Sequence, residues 1–219
     1  MLQLSMRDCR GWARTARYIN ENQRWPEKDL MLTEPRGRTR FLSDDELATL
    51  LAAARKHSTT MYAAIVVSIA TGVRQGELLR LNWLDIDLER QLLRVHLSKN
   101  DEPRTVHLPQ SACDALRALQ NAKVRAIGPI FITDNGERLK KSTLEARWKR
   151  LRDSIPLANM RSHGLRHSCA SYMAQSGATL LEIGAQLGHR SPSVTLRYAH
   201  LTQGKALPSH AALDEKLRG

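Results

Sequence analysis

The chain has 219 residues, with 34 Lys and Arg against 22 Asp and Glu, and a formal net charge of +12 at pH 7. A hydrophobic share of 42% excludes wholesale disorder, and no apolar run approaches the ~18 residues that a spanning helix needs. The basic excess implies a polyanionic partner, and the widely spaced Cys9, Cys113 and Cys169 read as free thiols of a reducing cytoplasm rather than a disulfide frame or zinc site, which makes nucleic acid the default partner, not a membrane.

Residues 1–42 differ from the rest. Arg7, Arg10, Arg14, Arg17 and Arg24 recur among Trp12, Tyr18 and Trp25, which predicts one amphipathic helix ending near Pro26. Glu34-Pro35-Arg36-Gly37-Arg38 then reads as an extended basic linker. The charge pattern fits a solvated arm as well as a DNA-contacting linker, with Arg36, Arg38 and Arg40 as its contacts. The domain proper, 43–219, starts at a capping box, Ser43 with Glu46, before a stripe of Leu47, Leu50, Leu51 and Ala54. A second helix over 59–70 is ended by Gly72. Arg74 falls on the turn into a short helix over 76–81. Leu93, Val95 and Leu97, then Val106 and Leu108, alternate on either side of Asn100-Asp101-Glu102-Pro103, which predicts a β-hairpin. Ile130-Phe131-Ile132 reads as a further strand. Helices follow over 112–123, 142–153, 165–175, 180–187 and 192–199, with capping boxes at Ser142/Glu145 and Thr179/Glu182 and stops at Gly177 and Gly188. The predicted class is mainly α with a small antiparallel β-sheet (α+β), without internal repeats.

Six residues in this frame carry chemistry: Arg74 in TGVRQGELLRL, Lys99 in LSKNDEPRTV, His163 and Arg166 in HGLRH, His189 in LGHRS and Tyr198 in TLRYAH. A phosphodiester repels nucleophiles and has a strongly basic leaving group, so a metal-free enzyme must supply fixed positive charge and a proton. Arginine stays charged and can donate two parallel hydrogen bonds to phosphate oxygens. Histidine serves in either protonation form. Tyrosine can attack phosphorus once its proton is removed. His163 and His167 stand four apart, but no glutamate of an HExxH pattern lies between them, and no metal is expected. His167 reads as packed or phosphate-adjacent and receives no role.

These strings resemble the tyrosine recombinase (phage integrase) family from about Arg40 onward. The segment from Ala70 to Leu78 matches its A-T-G-x-R-x-x-E-L motif, residues 163–167 its H-x-L-R-H box, and Leu187-Gly188-His189 its L-G-H segment, with Tyr198 nine residues on. The resemblance implies that family's catalytic-domain fold and strand cleavage through a 3′-phosphotyrosine, without cofactor. Arg74 and Arg166 would clamp the phosphate, Lys99 on its hairpin turn would protonate the departing 5′ oxygen, and His163 and His189 would donate to phosphate or shuttle protons. Tyr198 would be the nucleophile, its phenolate favoured by nearby guanidiniums. Glu77 would support an arginine or tie down the helix. Glycine at 164, where the family usually has aspartate, weakens the local helix cap. The resemblance also implies double-stranded DNA as partner, a homo-tetramer on DNA and a monomer off it, a cytoplasmic, nucleoid-associated location, and residues 1–42 as the remnant of a core-binding domain. The segment after Tyr198 would pack on a neighbouring subunit.

A basic stretch, Arg138, Lys140, Lys141, Arg147, Lys149, Arg150 and Arg152 around Trp148, is expected to track the DNA backbone, the alternative being a solvated helix face. Two other functions compete with recombination. Residues 170–199 have the length of a helix-turn-helix, as a non-enzymatic regulator would use. Type IB topoisomerases share the catalytic residue set and relax supercoils.

Overall fold

Ser43 opens the first helix as its sequence predicts. Its Oγ accepts from the Glu46 N–H at 3.2 Å, and the Glu46 carboxylate accepts from the Ser43 N–H at 3.0 Å. The structure is a computed structural model that describes residues 40–96, 103–123, 127–157, 159–189, 191–202 and 215–218. The predicted N-terminal helix and linker with Arg36 and Arg38, the hairpin turn with Lys99, and most of the tail after Thr202 lie outside the described residues.

Helix α1 (Asp44–His57) has three acidic residues in its first turn and Arg55, Lys56 and His57 in its last, matching the polarity of the helix dipole. Helix α2 (Thr59–Thr71) is apolar almost all round and is buried on nearly every face. It is the central helix, packed by α1, by α4 (Gln110–Lys123) and by α6 (Gly164–Gln175). Gly72 ends it in the left-handed region, at φ 65°. A Cβ at Gly72 would collide with Leu187 Cδ2 and press on Cys169 Sγ, so the end of α2 can approach α6 and α7 (Leu180–Leu187) only as glycine.

After the short helix α3 (Gln75–Arg80) and a 3₁₀ turn at Trp83–Asp85, three antiparallel strands form one sheet in the order β1 (Ile86–Asp87), β2 (Leu92–Val95), β3 (Arg104–His107). Leu93 pairs with Val106 and Val95 with Arg104, so Arg104 opens the ladder of β3. The alternation holds for Leu93, Val95, Val106 and Leu108, all buried, Leu97 lies outside the described residues, and β1 is an added edge strand.

Three local expectations need correction. Ile130-Phe131-Ile132 is not a strand: its segment makes isolated bridges, Asn82 with Pro129 and Ile132 with Arg138. Ser142 caps nothing, because helix α5 (Lys141–Asp153) starts one residue earlier with Lys140 at its N-cap and no side-chain cap bond. The helix over 192–199 is broken into α8 (Pro192–Thr195), a 3₁₀ turn (Leu196–Tyr198) and α9 (Ala199–Thr202). Tyr198, in that 3₁₀ turn, is buried.

The main core gathers Leu50, Met61, Ile65, Leu78, Leu93, Leu116 and Phe131, with Trp148 and Leu151 of α5. A second, smaller cluster joins Ala170 and Ala174 of α6, Ile183 and Leu187 of α7, and Tyr198. Among the described residues no helix is long and apolar enough to cross a membrane.

Candidate active site

Arg166 organises the site. It lies one turn into α6, is 4% exposed, and donates to the carbonyl of Gly72 at 2.5 Å and to that of Leu187 at 2.7 Å. Both carbonyls belong to helix C-termini, where backbone dipoles leave partial negative charge for a buried cation. One guanidinium therefore ties the turn before Arg74 to the turn before His189. Burial, and then the nearby Arg74, lower its pKa to about 10. It stays charged at neutral pH.

Arg74 is the N-cap residue of α3, and its guanidinium is about one third exposed. Glu77, 3% exposed, accepts from the Arg74 N–H at 2.8 Å and from its Nη1 at 3.4 Å. The same carboxylate accepts two bonds from Arg104, at 3.2 and 2.9 Å. Burial opposes the charge on Glu77, yet the Arg104 hydrogen bond, the Arg74 N–H and both guanidiniums hold its carboxyl below the usual range. Glu77 thus supports arginines, as its spacing suggests, but its main partner is Arg104. Arg104 also donates to the Gln186 carbonyl at 3.2 Å. Gly188, at φ 70°, faces this guanidinium so closely that a Cβ there would stand 2.8 Å from Nη1.

His163 precedes α6, exposed at the mouth of the site, with no side-chain cap bond at the glycine that follows it. Although the residue is exposed as a whole, partial burial of its ring, and then the cations Arg166, Arg74 and Arg197, lower its pKa. His189 follows the αL glycine, and its Nδ1 lies 2.8 Å from the hydroxyl of Thr195, a buried residue that fixes the ring. Tyr198 is 1% exposed, and its hydroxyl lies 2.6 Å from Nδ1 of His167. His167 in turn meets His163 edge to face, centroids 4.8 Å apart. Burial lowers the His167 pKa to about 4, helped by the charges of His163, Arg197, Arg166 and His189.

The expected phenolate is not what this arrangement favours. Burial raises the Tyr198 pKa and outweighs the lowering by Arg197 and Arg166. The phenol is protonated here because the apolar cluster around its ring removes water from the charged form.

Arg74, His163, Arg166, His189 and Tyr198 therefore surround one locus, with Arg166 within electrostatic reach of Arg74, Glu77, Arg104 and Tyr198. Lys99 lies outside the described residues. Arg104, Thr195 and Arg197 join the set without a motif signal of their own. Among the described residues no group of three His, Cys, Asp or Glu side chains could hold a metal ion.

The predicted DNA contacts are placed apart from this locus in sequence and are mostly paired. Arg40 bridges Glu46 at 2.7 Å. Lys140 is exposed, Lys141 pairs with Glu145 at 3.7 Å, Arg147 with Asp134 at 3.8 Å and Lys149 with Asp153 at 2.8 Å, while Arg150 is exposed. Arg138 is structural, donating to the Leu79 carbonyl and the Asn82 side chain. Trp148 does not interleave with the cations but fills the core, its indole N–H bonded to the Met160 carbonyl.

A mainly helical domain with one three-stranded sheet and this helix arrangement is the fold of tyrosine recombinase catalytic domains. The chain belongs to the phage integrase family, whose sequence model matches residues 40–205. It is 33% identical over 157 residues to the tyrosine recombinase XerC of Roseiflexus castenholzii, covering 68% of this chain and 50% of that protein. It is 28% identical over 166 residues to the shufflon-specific DNA recombinase of Escherichia coli, covering 75% and 41%. The crystal structure of XerA recombinase superposes with a TM-score of 0.69 at 28% identity, over 84% of this chain and 66% of that one. The catalytic domain of bacteriophage HP1 integrase matches with a TM-score of 0.58 at 24% identity, over 80% and 93%. The chain spans about half the length of the curated relatives it matches.

Proposed function

We propose that this chain performs site-specific DNA recombination by cleaving and rejoining strands through a 3′-phosphotyrosine on Tyr198. The observation that carries the reading is the convergence of one buried tyrosine with Arg166, Arg74 and His163 around a single locus. Arg74 and Arg166 hold the scissile phosphate and stabilise its crowded transition state. Lys99 protonates the departing 5′ oxygen, and His163 and His189 donate to the phosphate. The ester keeps the bond energy, so a second 5′ hydroxyl reverses the step without ATP. Double-stranded DNA is the partner, engaged also by Arg36, Arg38 and Arg40 and by α5, with a homo-tetramer assembled on DNA from free monomers in the cytoplasm.

The regulator reading is not favoured. Its recognition helix would be α7, which carries no Lys or Arg, and whose Gln186 side chain donates to the Thr71 carbonyl. Relatives named as recombinases likewise do not favour a topoisomerase. The test is incubation with nicked suicide duplexes randomised around the nick. A denaturation-resistant protein–DNA adduct that disappears in Tyr198→Phe is expected. Binding without an adduct refutes the reading.

A further inference from the structure

We propose that His167 is a catalytic residue of this chain, its Nδ1 seating the Tyr198 hydroxyl and taking the phenol proton as that oxygen attacks phosphorus. The inference rests on the proposed strand cleavage and deepens it. Its ground is geometric. The hydroxyl and Nδ1 are 2.6 Å apart, a short hydrogen bond, and among the described residues His167 is the one hydrogen-bond partner of that hydroxyl. The contact joins α6 to the 3₁₀ turn across 31 positions of sequence, at the edge of the apolar cluster that grips the phenol ring. A neutral imidazole has one donor and one acceptor nitrogen. In the proposed state the phenol donates, so that Nδ1 is the acceptor and Nε2 carries the hydrogen.

His163 is less suited to that task. It stands exposed at the mouth of the site, among guanidiniums that would draw a phosphate to it. His167 lies behind it, against the nucleophile. Attack by a protonated hydroxyl needs an acceptor within hydrogen-bond reach, and His167 is already there.

The groups facing His167 set when the proton moves. They are His163 and Arg166 from its own helix and the residue before it, His189 from the turn after α7, and Arg197 and Tyr198 from the 3₁₀ turn. Without DNA, burial and then the guanidiniums of Arg197 and Arg166 keep the imidazole neutral, and burial keeps the phenol protonated against the pull of those same guanidiniums, so the nucleophile is idle. A scissile phosphate brings negative charge among Arg74, Arg166 and Arg197 and offsets their pull, which makes the imidazole more basic where the phenol must ionise. In cleavage the Oη–H bond breaks and its proton goes to Nδ1. The Oη–P bond forms, the P–O5′ bond breaks, and O5′ takes a proton from Lys99. Religation runs the same transfers backwards, so nothing is consumed.

The test is single-turnover adduct formation on the suicide duplexes by wild type, His167→Asn and Tyr198→Phe. Asparagine keeps an acceptor oxygen near the Nδ1 position but cannot take the proton. His167→Asn should bind DNA normally yet cleave roughly 10²–10⁴-fold more slowly. Its rate should keep rising with pH in the alkaline range, where wild type is level. His167→Asn cleaving within about threefold of wild type overturns the inference, since a general base contributes far more than that. If wild type forms no adduct, the proposed function falls and this inference with it; an adduct formed by His167→Asn at a rate close to that of wild type sinks this inference alone. An independent check needs neither DNA nor a variant. Nitrogen-15 NMR of the DNA-free protein should find Nδ1 of His167 unprotonated and Nε2 protonated, and the opposite tautomer removes the acceptor and refutes the idea.

Discussion

Arg104 and Glu77 form a two-pronged ion pair across 27 positions of sequence, with oxygen–nitrogen distances of 2.9 and 3.2 Å and side chains only 9% and 2% exposed. Because Glu77 also binds the backbone N–H and guanidinium of Arg74, the first residue of β3 is coupled to the residue proposed to hold the phosphate. Removing Arg104 leaves a buried carboxylate half compensated, a loss of about 3 kcal/mol. Arg104→Met is expected to lower Tm by roughly 10 °C for a chain this size and to slow adduct formation. Lysine at 104 should recover less than half of either loss, since it lacks the fork that meets both carboxylate oxygens. Thermal melting and adduct kinetics on the same variants measure both.

Three glycines with positive φ make a graded test of close approach. Gly177, at φ 94°, has nothing within 4 Å of where a Cβ would stand, so Gly177→Ala meets backbone strain alone, about 1–2 kcal/mol. Gly188→Ala adds a contact at 2.8 Å to the Arg104 guanidinium, the movable end of a long side chain, and should cost more in cleavage than in stability. Gly72→Ala drives into Leu187 and Cys169 between two packed helices and should be the most destabilising of the three. Equal Tm losses for Gly72→Ala and Gly177→Ala would show that the helix ends are not in close contact.

These residues also mark what was legible in the sequence. Ser43, Thr179, Gly72 and Gly188 act within a few positions of themselves, and each does what its local motif predicts. Arg104 acts through Glu77 and Gln186, 27 and 82 positions away, which no local pattern encodes. One signal did exist: Arg104 is in phase with Val106 on its strand, so it points to the buried face, and a buried cation needs a buried anion. His167 was visible as half of an i, i+4 pair, but its partner is a tyrosine from another element. Trp148 among the cations was misleading, because on a helix its phase with Leu144 and Leu151 turns it to the core while its neighbours face water.

Acid should unfold the DNA-free protein in a window set by its histidines. The folded pKa of His167 is about 4, below the ordinary 6.5. The unfolded chain therefore binds the extra proton between those values, and stability rises with pH across them. The contribution is complete above pH 6.5 and is lost as pH falls toward 4, on the order of 2 kcal/mol after allowance for the partial exposure of the ring. His163, also lowered, acts in the same direction. Melting temperature should therefore fall as pH drops from 6.5 to 4, and His167→Asn should flatten that slope. A wild-type profile level over this range would show that the imidazole is not held neutral.

On α5, Lys149 and Arg150 are adjacent and exposed, but they are not equivalent. Lys149 is bonded to Asp153 at 2.8 Å, and that carboxyl is held below its usual range by Lys149 first and Arg152 second. A cation already matched by a carboxylate releases fewer counterions when it meets a phosphate, whereas Arg150 has no such pairing among the described residues. If α5 tracks the DNA backbone, Arg150→Ala should reduce the slope of log K against log salt by about 0.9, the value for one phosphate contact. Lys149→Ala should reduce it by less, and Asp153→Asn should raise affinity by freeing the lysine. Fluorescence anisotropy of a labelled duplex over a potassium chloride series measures all three. If none of the three variants shifts the slope, α5 is a solvated face whose cations serve its own carboxylates.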